Sequence, residues 1–100
     1  MNNLLELIHT RRSIRRYTHD VIPADVVDQL LNAAIRAPSA HNRQPWRFVV
    51  IANEQTRYRL ATAMGDQLRR DLVADGRSPE FIERDAGRSY MRLTNAPLLI

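Results

Sequence analysis

The sequence predicts a chain of mixed α/β or α+β class. Three observations carry that prediction. Apolar residues recur at helical spacing in four separate stretches. The run "RFVVIA" (47–52) is instead rich in β-branched residues and reads as a buried strand. The final "APLLI" (96–100) reads as the beginning of a second strand.

Each element has a local reason. "NNLLELI" offers a cap at Asn3 and sets Leu4, Leu5 and Ile8 on one face, which predicts a short helix. "RRSIRRYTHDVI" (11–22) follows as an irregular or extended segment. Pro23 marks a helix entry, where its missing N–H costs little. Val26, Val27, Leu30, Leu31, Ala34 and Ile35 then form a helical stripe, and Pro38 stops that helix by about residue 37. Asn53 caps a long helix carrying Leu60, Ala61, Met64, Leu68 and Leu72, with Gly76 as its stop. Ser78-Pro79-Glu80 starts a last helix that runs to about Leu93.

Composition bounds the function. A chain of 100 residues is a single small domain or part of a larger one. With 44% apolar and 26% charged residues it is globular rather than disordered. No apolar run reaches the length of a membrane span. "MNNLLELIHT" has neither the basic start nor the cleavage site of a signal peptide, and a chain without cysteine fits a cytoplasmic setting. There is no cysteine, which excludes disulfides, thiolate metal sites and thiol catalysis. His9, His19 and His41 have no metal-site spacing, and no P-loop, Gly-rich fingerprint or Ser-His-Asp arrangement occurs. No residue is assigned as catalytic and none as a metal ligand. An enzyme of this kind would leave the chemistry to a bound cofactor.

The net charge is +4, and all fifteen basic residues are arginine. Most are interspersed with the eleven acids, as on a solvated surface. Only "RRSIRR" (11–16) is dense. In an extended stretch Arg11, Ser13 and Arg15 share one face, and Arg12 and Arg16 the other. Two guanidinium forks and a hydroxyl on one face suit a phosphate or another oxygen-rich anion. The same residues would also serve as a solvated basic loop.

"APSAHNRQPWRF" (37–48) is the second candidate. Ser39, Asn42 and Gln44 can donate and accept hydrogen bonds without carrying charge, which suits the heteroatom edge of a flat ring. Pro38 and Pro45 stiffen the loop ends, and Trp46 and Phe48 can pack beneath it. A plain helix-to-strand turn with Trp46 in the core is the alternative.

Taken together, "RRSIRRY" after a short helix, then "VIPADVVDQLLNAAIRAPSAHNRQPWRFVVI", resembles the N-terminal half of the nitroreductase family of flavoproteins. The likeness is close over residues 4–51 and looser beyond. It implies an α+β fold, a three-layer α/β/α sandwich, of which residues 1–100 would be the N-terminal part of one domain. It also implies an intimate homodimer with FMN at the interface. On that resemblance Arg11 matches the phosphate-binding arginine, with Arg12 and Ser13 beside it. Arg15 matches the basic residue at the pyrimidine edge of the flavin. Pro38, Ser39 and Asn42 match the loop that reaches the partner's flavin, and Gln44 supports that loop.

The implied function is an FMN-dependent oxidoreductase. NAD(P)H would deliver hydride to the flavin, and a nitroaromatic, quinone or similar small-molecule acceptor would then take the electrons by a ping-pong mechanism. The "PSAHNRQPW" form also resembles relatives acting in deazaflavin or flavin metabolism. A reading of another class is a non-catalytic, arginine-rich module binding a nucleotide or nucleic acid. The aromatics are not interleaved with the arginines as such a module would require, so neither nucleic acid nor membrane is expected as a partner.

Overall fold

Asn3 starts the first helix. Its side-chain oxygen accepts from the Glu6 backbone N–H at 2.7 Å, and α1 runs Leu4–Thr10. The computed structural model describes residues 3–100; Met1 and Asn2 lie outside the described residues. Residues 11–23 leave α1 as irregular chain, as the sequence predicts, with Arg11 in an extended conformation.

Pro23 caps α2, which runs Ala24–Ala34. Ile35 closes it by donating to the Leu31 carbonyl at 3.1 Å. Residues 40–42 form a single 3-10 turn. Asn53 caps α3, Glu54–Ala74, by accepting from the Thr56 backbone at 2.9 Å. That helix ends in a Schellman arrangement: Gly76 donates to Val73 at 3.0 Å and Arg77 to Leu72 at 3.0 Å. Gly76 sits at φ +75°, the left-handed conformation this closure requires. Two residues later Ser78 accepts from Phe81 N–H at 3.2 Å and starts α4, Pro79–Asn95.

α3 and α4 form an antiparallel hairpin, the one helix pair that packs together among the described residues. Its seam is built from small and branched residues: Ala61, Gly65 and Leu72 on one side, Ile82 and Ala86 on the other. Small residues let the two backbones approach closely. Arg69 pairs with Glu83 across the seam. At the open end of the hairpin, Arg57 donates to the carbonyls of Thr94 at 3.2 Å and of Ala96.

The expected strands differ from what is seen. Among the described residues the only sheet pairing is one antiparallel bridge, Ile51 with Leu99, with N–H···O distances of 2.8 and 3.0 Å. No strand is formed over 47–52 or from 96 onward. A strand is defined by its partner, and the β-prone residues Phe48, Val49 and Val50 have none: they are exposed rather than buried. The stripes of α1 and α2 are also largely bare. Leu4, Leu5 and Ile8 of α1 are exposed, and on α2 only Val27 is buried. The radius of gyration is 17.1 Å, against about 13 Å for a compact chain of this length.

Candidate functional site

The arginine segment leaves α1 at Arg11, whose φ of -57° and ψ of 136° turn the chain out of the helix. Arg11 Nη1 lies 3.4 Å from Ser13 Oγ, so these two do share a face. Arg12 turns back instead and donates to the carbonyls of Arg11 at 3.0 Å and His9 at 3.4 Å. Its guanidinium braces the end of α1. All four arginines of the segment are exposed.

Further along, the segment meets α4. Arg15, Arg16 and Tyr17 line an open groove of about 440 Å³, facing Arg88, Met91, Arg92 and Asn95. Arg15 and Arg16 thus line the same groove, although alternation set them on opposite faces. Four arginines line it, and among the described residues no acidic residue does. Such a place attracts anions and offers them forked donors. Arg88, Arg92 and Asn95 were not singled out from the sequence. Their signal was present: the spacing i, i+4, i+7 sets all three on one side of a helix.

The 37–48 loop is organised by Ser39, which is half-buried. Its carbonyl accepts from Asn42 N–H at 3.0 Å, and its hydroxyl accepts from Gln44 N–H at 3.0 Å. These two bonds close a tight ring of chain. Inside that ring His41, Asn42 and Gln44 take φ of 53°, 55° and 51°. Three non-glycine residues in the left-handed region cost about 1–3 kcal/mol each, least for Asn. The side chains of Pro38, Asn42 and Gln44 are exposed. Trp46 is half-buried, whereas Phe48, expected to pack beneath the loop, is 41% exposed. None of the loop residues lines the groove at Arg15, so the chain does not bring the two candidate segments together there.

A second, apolar crevice of about 380 Å³ adjoins the groove along Tyr17 and Arg92 and continues over Ile22, Leu30, Pro97 and Leu99. The groove therefore has a charged part and an apolar flank. Among the described residues no helix is long and apolar enough to cross a membrane.

The chain is similar in sequence to several known proteins. A Thermus thermophilus protein named NADH dehydrogenase is 51% identical over 53 residues, covering 53% of this chain and 26% of its own length. A Methanothermobacter thermautotrophicus protein, provisionally named NADH dehydrogenase/NAD(P)H nitroreductase, is 43% identical over 53% of the chain and 28% of its own length. An Archaeoglobus fulgidus protein with the same provisional name is 40% identical over 63% of the chain and 36% of its own length. Each match thus spans about a quarter to a third of the relative. The Nitroreductase family as a whole matches residues 8–100. That span takes in the arginine segment, the strained loop and both helices of the hairpin, and the chain belongs to the nitroreductase family.

Proposed function

We propose that the chain serves an FMN-dependent oxidoreductase that moves electrons from NAD(P)H to a nitroaromatic, quinone or similar acceptor. The observation that carries this reading is the groove lined by Arg15, Arg16, Arg88 and Arg92 and, among the described residues, by no acidic residue. The donor set fits a flavin mononucleotide, which presents a phosphate, a polar ribityl chain and the carbonyl edge of a flat ring. The apolar flank along Tyr17 and Leu30 fits the ring's body. When bound, the flavin would supply the two-electron chemistry between donor and acceptor.

The chain's own residues have defined tasks. Arg11, with Ser13 at 3.4 Å, would hold the phosphate. Arg12 would support that turn from behind through its bonds to backbone carbonyls. Arg15, with Arg88 and Arg92 opposite, would face the pyrimidine edge and stabilise negative charge that grows there on reduction. Pro38, Ser39 and Asn42, supported by Gln44, would reach the flavin held by a second copy, as the family resemblance implies; they line no part of this groove. The enzyme would then be a homodimer. No side chain need act as nucleophile, acid or base.

The test is the visible spectrum of the purified full-length protein that contains residues 1–100, followed by FMN titration of its apoprotein. Bound flavin released on denaturation, and NAD(P)H oxidation that depends on it, are expected. A colourless protein that binds no FMN would overturn the reading.

A further inference from the structure

We propose that Arg57 is a positioning residue for the arginine groove, acting through the end of α4; this rests on the flavin reading above. The last turn of a helix leaves carbonyls without intrahelical partners, and these carry its negative pole. At the end of α4 two nearby carbonyls, those of Thr94 and Ala96, accept from one group, the Arg57 guanidinium. Arg57 stands in the first turn of α3, 37 and 39 positions away in sequence. Its own backbone N–H is tied to Asn53, the cap of α3, at 3.0 Å. The Ile51–Leu99 bridge closes the same end of the hairpin from outside.

The consequence lies in the groove, which the same turn helps to line. Arg92 and Asn95 line the groove, and Arg92 also accepts at its carbonyl from Ala96 N–H at 3.3 Å. Fraying or rotation of the last turn would therefore carry Arg92 and Asn95 away from Arg15. Arg57 does not line the groove, so its influence on the groove's ligand is through α4. It is half-buried, and its Nε is buried with no protein partner among the described residues. Burying an unpartnered N–H is costly, and the double grip on α4 offsets that cost.

The experiment compares Arg57→Met, Arg57→Gln and Arg57→Lys in the purified full-length protein that contains residues 1–100, by thermal unfolding, FMN titration and potentiometry. For Arg57→Met the affinity for oxidised FMN should fall about threefold and for reduced FMN about thirtyfold, because the reduced ring carries more charge toward Arg15 and Arg92. The tenfold difference equals a midpoint potential lower by about 30 mV. Arg57→Lys, which keeps the charge at the helix end, should recover more than half of that shift. A merely structural arginine would lower Tm and leave the potential of the folded, flavin-bound protein unchanged, and that result overturns the proposal. If Arg57→Met does not fold, Arg57→Gln decides: its potential should lie below that of Arg57→Lys, and equality overturns the proposal. Absence of flavin binding in the unaltered protein would instead remove the underlying functional reading.

Discussion

Arg84, Arg88 and Arg92 stand one turn apart on α4, yet they do different work. Arg84 lies 5.7 Å from the Phe81 ring centre, in a cation–π stack shared with Arg77 at 4.9 Å. Arg88 and Arg92 line the groove. Arg88→Ala should therefore weaken FMN binding about tenfold, the loss of one charge-assisted bond. Arg84→Ala should leave binding unchanged. Titration of both variants checks this, and equal losses would mean that the groove is not the flavin's place. Gln44 allows a second test at this scale. Its φ of 51° is strained for a side-chain-bearing residue. Gln44→Gly should keep or raise Tm while weakening flavin binding, since the strain is relieved and the polar group lost. A fall in Tm would show that Gln44 is unstrained there. The pairing of Arg11 with Ser13 was legible in the sequence, because alternation in an extended segment is local. The partnership of Arg15 with Arg88 was not, because it joins residues more than seventy positions apart and depends on where α4 docks.

Helix boundaries were legible for the same reason of locality. Asn3, Asn53 and Ser78 each accept from the N–H three residues on, and Gly76 closes α3 in the left-handed conformation. Each signal sits within one turn of the boundary it sets. The β-prone run 47–52 carried no such self-contained signal. Its composition shows what it can do in a sheet, whereas its pairing is decided elsewhere, and only Ile51 finds a partner. Two glycines in the hairpin turn this contrast into a prediction. Gly76→Ala should destabilise by about 1–2 kcal/mol, because it forces a Cβ into the left-handed region. Gly87→Ala should stabilise by about 0.5–1 kcal/mol, because a helical glycine wastes chain entropy. A Cβ added at Gly87 meets nothing within 4 Å, so no clash opposes the gain. Thermal unfolding of both variants of the full-length protein measures this, and a destabilising Gly87→Ala would show that something covers that face of α4.

At the scale of the molecule, the family assignment supports a nitroreductase-like architecture, of which this chain displays mainly the helical part. Its interior is thin. Among the described residues the buried apolar ones are Val27, Ala61, Leu72, Ile82, Ala86 and Ala96, and no large side chain is fully buried. Half of that set is alanine, which returns little on burial. Against it stand Leu4, Leu5, Ile8, Ile14, Val21, Leu30 and Val49, all more than half exposed. Ordering a residue costs about 1–2 kcal/mol of backbone entropy, and α1 and α2 recover little of it, since neither packs on another helix. An isolated strand pair adds nothing stable of its own. Residues 1–100 expressed alone should therefore bind a hydrophobic dye, unfold without a cooperative transition and gain no stability from FMN. The α3–α4 hairpin should be the most protected part in hydrogen exchange, because it holds most of the buried residues. Recording thermal unfolding with and without micromolar FMN decides the matter. A cooperative transition that FMN shifts upward would show that the groove and the hairpin suffice on their own, and that the bare faces of α1 and α2 need no cover.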